Sequence, residues 1–191
     1  MMNKIQIYGL PRTGTNYVEF LIKNNLDNNY KSMHSKVQKP KNVEDSYIKT
    51  SFIATKHCKP NIELGENFII VLKESGNFIS SFKKWRRFSE NEIIDIYLRG
   101  IADYIKFFNK FESKVIIVFH EDILGNEEKF IDLVSKKFNI DKLSNEIITT
   151  DLIMNRSGGC GTTDKKYNLN NKSEIDLGDL YNQIKELKIK L

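Results

Sequence analysis

Apolar positions fall along this chain in two rhythms. Ile5, Ile7 and Tyr8 form a short apolar run that stops at Gly9-Leu10-Pro11, and Tyr17, Val18, Leu21 and Ile22 then recur at helical spacing. The pattern predicts a strand, a tight loop and a helix. Phe68-Ile69-Ile70-Val71-Leu72 is continuous and apolar, as strands buried on both faces of a parallel sheet are, and Phe78, Ile79 and Phe82 follow at helical spacing. Val115 to Phe119 predicts a third buried strand, after which Asn126 opens a helix with Phe130, Ile131, Val134 and Phe138 on its inner face. Between the second and third strands lies the clearest helix. Ser89-Glu90-Asn91-Glu92 has the Ser-x-x-Glu form of a capping box, and Ile94, Tyr97, Leu98, Ile101, Tyr104, Ile105 and Phe108 keep the helical period behind it. A last amphipathic helix carries Leu180, Ile184 and Leu187. From Asn24 to Pro60 the chain is polar and broken by Pro40 and Pro60, with one short strand expected at Ile48 to Ala54.

Strands that alternate with helices imply an α/β fold with a parallel central sheet between two helical layers, a three-layer α/β/α arrangement in one domain over residues 1–191. In such sheets ligands sit at the carboxyl ends of the strands. The residues there are Gly9 to Arg12, Lys73 to Ser75, and His120 to Asp122.

Composition narrows this picture without changing it. Hydrophobic residues make up 40% of the 191, enough for a continuous core, so wholly disordered and collagen-like chains are excluded. No apolar run approaches the roughly 18 residues that would span a bilayer, and the N-terminus runs into a strand pattern without a signal-peptide core. The expectation is a soluble, cytoplasmic protein with no membrane span. Cys58 and Cys160 are the only cysteines, which fits a reducing compartment better than a disulfide framework. A net charge of +5 favours an anionic ligand over nucleic acid, because the basic residues are spread along the chain. The one dense basic stretch, Lys83-Lys84-Trp85-Arg86-Arg87, reads more simply as a surface that steers an anion than as a nucleic-acid platform.

The loop after the first strand carries the chemistry. Gly9-Leu10-Pro11-Arg12-Thr13-Gly14-Thr15-Asn16 has a glycine at each end of a six-residue span between strand and helix, the arrangement of a phosphate cradle. Thr15 stands where a nucleoside triphosphatase would place lysine, and Asn16 where it would place the magnesium-binding hydroxyl, so a standard ATPase or GTPase is disfavoured. Arg12 and the hydroxyls of Thr13 and Thr15 instead suit a phosphate that needs charge but no metal.

Gly9-x-Pro11-Arg12-Thr13-Gly14-Thr15 resembles the 5′-phosphosulfate loop of the sulfotransferases that use 3′-phosphoadenosine 5′-phosphosulfate (PAPS). The resemblance implies a P-loop-like sulfotransferase topology. It implies that Pro11, Arg12, Thr13, Gly14, Thr15 and Asn16 hold the phosphosulfate, with Arg12 on the bridging oxygen as sulfuryl transfers. The family's second segment, a strand ending in a basic residue with a serine eight residues on, is matched by Lys73 and Ser81, although Lys73-Glu74-Ser75 replaces the usual Arg-Asp/Asn-Pro. Its late Arg-Lys-Gly-x-x-Gly loop is similar to Arg156-Ser157-Gly158-Gly159-Cys160-Gly161. Lys73, Ser81, Arg156, Ser157 and Gly158 would thus hold the 3′-phosphate. Phe119-His120-Glu121-Asp122-Ile123-Leu124 resembles the Arg-Tyr-Glu-Asp-Leu segment that follows a later strand of the fold, and its carboxylates read as structural.

Sulfuryl transfer to a hydroxyl needs a base for the acceptor proton and cations on the phosphosulfate, and no metal. Thr55-Lys56-His57 is similar to the family's Lys-Thr-His or Trp-Lys-His segment, which makes His57 the expected base and Lys56 a helper on the sulfuryl oxygens. His34 is the alternative base. A metal site built from His34, His57, Cys58 and Cys160 lacks regular ligand spacing. The acceptor, whether small molecule, carbohydrate or peptide, is not written in these motifs. Two other readings stay open: a small-molecule or nucleotide kinase in which Glu121 or Asp122 holds magnesium, and a non-catalytic nucleotide- or polyanion-binding module.

Overall fold

The computed structural model describes residues 5–10, 12–26, 67–84, 87–149 and 175–191. Three parallel strands, β1 (Ile5–Tyr8), β2 (Asn67–Leu72) and β3 (Val115–Phe119), lie in the order β1-β2-β3. Ile5 is level with Asn67 and Tyr8 with Ile70, while Phe68 is level with Val115 and Leu72 with Phe119. The central strand β2 therefore runs two residues beyond β1. That step leaves room beside Val71 for the loop that leaves β1.

The continuous apolar runs are explained by cover on both faces. Phe68, Ile70 and Leu72, with Tyr8, Val115, Ile117 and Phe119, face one helical layer made of α2 (Ser75–Lys83), α3 (Glu90–Phe111) and α6 (Asp179–Leu187). Ile69 and Val71, with Ile5, Ile7, Ile116 and Val118, face the other, made of α1 (Thr15–Asn25) and α5 (Glu127–Phe138). A single short turn of helix, α4 (His120–Ile123), leaves β3 directly. The expected α/β fold with a parallel sheet is present in this described part. Among the described residues no helix is long and apolar enough to cross a membrane. The expected strand at Ile48 to Ala54 and the glycine-rich loop after Arg156 lie outside the described residues.

Local signals and packing agree in most elements. Ser89 accepts the Glu92 amide while the Glu92 carboxylate accepts the Ser89 amide, the reciprocal box expected from the sequence. Such a cap contributes about 1 kcal/mol. Each fully buried Ile or Tyr on the inner face contributes about 2 kcal/mol, so packing decides where α3 lies and the cap decides where it starts. That inner face differs from the expected one by a fraction of a turn: Ile93 and Phe107 are buried, whereas Ile94 and Leu98 sit on its flank. The last helix is shifted similarly, burying Tyr181 and Ile184 and leaving Leu180 and Leu187 partly exposed. The aromatic ring of Tyr181 fits between Tyr97 and Phe119, which an apolar-only pattern overlooks.

Candidate functional site

The β1–α1 loop folds tightly because its glycines have no alternative. A Cβ on Gly9 would stand 2.6 Å from the carbonyl oxygen of Val71 and the same distance from Cγ2 of Thr15. Gly14 has φ +93°, a left-handed backbone, and caps α1 with its carbonyl, which accepts the amides of Tyr17 at 2.9 Å and Val18 at 3.2 Å. Thr13 is fully buried and closes the turn: its amide and its hydroxyl both donate to the Leu10 carbonyl, at 3.2 and 2.8 Å. The Thr13 hydroxyl thus shapes the loop. Arg12 is exposed and is itself left-handed, at φ +72°. Gly14, Thr15 and Asn16 are half-buried.

A surface thus forms on which a basic side chain and the first turn of a helix face outward together. Amides in the first turn of a helix lack carbonyl partners one turn back and carry partial positive charge. No acidic residue stands in the first turn of α1 to neutralise that charge. The arrangement is chemically competent to hold a phosphate- or sulfate-type anion without metal.

The carboxyl ends of β2 and β3 build the floor. Lys73 follows β2 and is only 4% exposed, its carbonyl accepting the hydroxyl of Tyr97 from α3. His120, the first residue after β3, is 4% exposed and meets the ring of Tyr17 edge-on at 5.4 Å between centroids. Burial, with the Lys73 charge behind it, pulls the His120 pKa down to about 3. The imidazole is therefore neutral at physiological pH.

Beside it, Glu121 accepts the backbone amide of Glu74 at 3.1 Å and Nδ2 of Asn77 at 2.9 Å. Its carboxylate caps the start of α2 from another element, and burial raises its pKa against the pull of those hydrogen bonds. Asp122 pairs with Lys188 at 2.8 Å, and Tyr181 donates its hydroxyl to the buried Glu74 carboxylate at 2.6 Å. The carboxylates of Glu121 and Asp122 are thus engaged in holding elements together, as the sequence suggests.

Of the residues singled out from the sequence, the structure brings together Arg12, Thr13, Gly14, Thr15 and Asn16, with Lys73 and His120 beneath them. Ser81 lies half-buried two turns along α2. Pro11, His34, Lys56, His57, Arg156, Ser157 and Gly158 lie outside the described residues, as do Cys58, Trp85, Arg86 and Cys160. Of the frame residues, Tyr181 and Lys188 went unnoticed in the sequence, while Glu74 and Tyr97 were read only as part of a motif and of an apolar face. The one signal that could have found them is a glutamate standing in an otherwise buried strand-to-helix corner.

Compared with models of protein families, with curated proteins and with solved structures, the chain matches none.

Proposed function

We propose that this chain is a sulfotransferase that moves a sulfuryl group from PAPS to a hydroxyl or amine on a small molecule, carbohydrate or peptide. What carries the reading is one observation: an exposed Arg12 and the first turn of α1, which has no acidic residue of its own, lie on a glycine-bounded loop at the carboxyl edge of a parallel sheet. These residues fit a 5′-phosphosulfate. When bound, PAPS supplies an activated sulfur whose leaving group is a phosphate.

In this reading the acceptor oxygen forms its bond to sulfur while the bond from sulfur to the 5′-phosphate oxygen breaks. The electron pair stays on that phosphate oxygen, where Arg12 offsets the growing charge. His57 takes the acceptor proton, with Lys56 on the sulfuryl oxygens and His34 as the alternative base. Lys73, Ser81, Arg156, Ser157 and Gly158 hold the 3′-phosphate.

A second reading, an anion-binding module without chemistry, draws on the burial of Lys73 beside Glu121. A lysine buried to this degree has less to offer a 3′-phosphate. The kinase reading is weakened, because Glu121 and Asp122 already hold Glu74, Asn77 and Lys188.

Thermal-shift titration separates the three. Stabilisation by adenosine 3′,5′-bisphosphate without magnesium, followed by transfer of labelled sulfuryl from PAPS to an acceptor panel, is the expected result. A response only to a magnesium nucleotide would replace it with the kinase, and binding of the bisphosphate without transfer to any acceptor would favour the module.

A further inference from the structure

The floor of the loop is a ring. A Cβ on Gly14 would overlap Cδ2 of His120 and stand 2.8 Å from its Cγ and 3.0 Å from its Nε2. The imidazole of His120 is therefore packed on the Cα of Gly14, the residue that caps α1. On another side it meets the ring of Tyr17, the third residue of that helix, whose hydroxyl donates to Glu127 of α5 at 2.6 Å. His120 follows directly on Phe119, the last residue of β3 and level with Leu72 of β2.

From this geometry we infer that His120 is a positioning residue: its ring is a wedge between the sheet and the β1–α1 loop that sets where the first-turn amides of α1 stand. The inference rests on the anion-binding reading of the loop for its purpose, but the wedge itself is a property of the protein without ligand. Shape is what matters. The ring is neutral and touches both Gly14 and Tyr17, so it defines the height and tilt of the helix start above Lys73. Anion recognition by backbone amides is sensitive to such placement, since a misplacement of about 1 Å can cost on the order of 100-fold in a positioned interaction. Glycine at 14 and a flat ring at 120 are then one unit: a side chain at 14 would take the space of the wedge.

The test compares His120→Ala with Val134→Ala, a change at a buried residue of α5. Both lower stability. Amide signals and hydrogen exchange of Gly14, Thr15 and Asn16 are read by NMR without ligand, and affinity for adenosine 3′,5′-bisphosphate is read by calorimetry. The expected result is that only His120→Ala displaces these signals and speeds their exchange, that it weakens the bisphosphate by about tenfold, and that His120→Phe brings the signals back. Equal perturbation of the loop by both alanine variants, or by neither, overturns the inference. Should His120→Ala not fold, His120→Gln, which lacks the flat ring, is compared with the same control. If wild-type protein binds no bisphosphate, the sulfotransferase reading fails while the amide comparison still decides the role of His120.

Discussion

The hydroxyl of Tyr181 donates to Oε2 of Glu74 at 2.6 Å, fastening α6 to the corner between β2 and α2. The Tyr181 hydroxyl oxygen in turn accepts the Ser75 amide at 3.2 Å, and Lys188 lies 4.0 Å from Oε1 of Glu74. Burial and the Glu74 bond raise the Tyr181 pKa, so the phenol stays protonated and donating. The corner that presents Lys73 is thereby held by residues about 110 positions further along the chain.

Tyr181→Phe removes one hydroxyl, which takes a donor from the buried Glu74 carboxylate and an acceptor from the buried Ser75 amide. The expected loss is about 1 to 3 kcal/mol. Urea denaturation should show a lower midpoint with an unchanged slope, and an unchanged midpoint would mean that water replaces the phenol without cost.

Gly14→Ala meets two obstacles at once, a backbone at φ +93° and a ring where the methyl must go. We expect destabilisation of about 2 to 3 kcal/mol together with loss of bisphosphate binding. Calorimetric unfolding and ligand titration of the same sample check both. Full affinity in Gly14→Ala would show that the loop tolerates a different helix start.

Arg12 separates backbone strain from chemistry. A left-handed backbone in a residue with a side chain costs about 1 kcal/mol or more, which glycine avoids. Arg12→Gly should therefore be at least as stable as Arg12→Ala, while both lose anion binding and turnover. Turnover retained in either variant would remove Arg12 from the reaction.

Acid should weaken the fold through His120. Its folded pKa of about 3 lies below its ordinary 6.5, so the stability it contributes is complete above pH 6.5 and declines as pH falls toward 3. The steepest decline is about 1.4 kcal/mol per pH unit. Glu121 acts with the opposite sign, because its raised pKa means that acidification relieves a buried charge. Denaturation curves across this range for wild type, Glu121→Gln and His120→Phe distinguish the two. Loss of the acid slope in His120→Phe alone is expected, and parallel curves for all three would contradict it.

Much of the fold is legible in the chain because strands covered on both faces leave an unmistakable record. Phe68 to Leu72 and Val115 to Phe119 have no polar residue, and Gly9 and Gly14 bracket a loop whose backbone only glycine fits. The apolar faces of α3 and α6 were legible to within a fraction of a turn. Tyrosine blurs them, since Tyr97 and Tyr181 bury a ring and still deliver a hydroxyl to Lys73 and Glu74. The floor of the site was legible as positions at the strand ends but not as packing. How deeply His120 is buried depends on the packing of β3 against α1, and the charge that Lys73 meets includes that of Glu121, 48 residues further along the chain. Periodicity records which side of an element is buried, and is silent about which distant side chain shares that burial. Asn25 makes the same point: its amide nitrogen and oxygen both bond to the backbone of Ile148, so a polar residue at 2% exposure ends α1 inside the protein.

The amide of Ile189, just beyond α6, donates to the Ile117 carbonyl of β3 at 2.9 Å. Uncovered strand carbonyls and amides invite pairing with other chains, and self-pairing removes the invitation. A newly made chain has β1, β2 and β3 in hand well before residue 189 arrives. Any change that slows the arrival of α6 therefore lengthens the interval in which the Ile117 carbonyl waits for this bond.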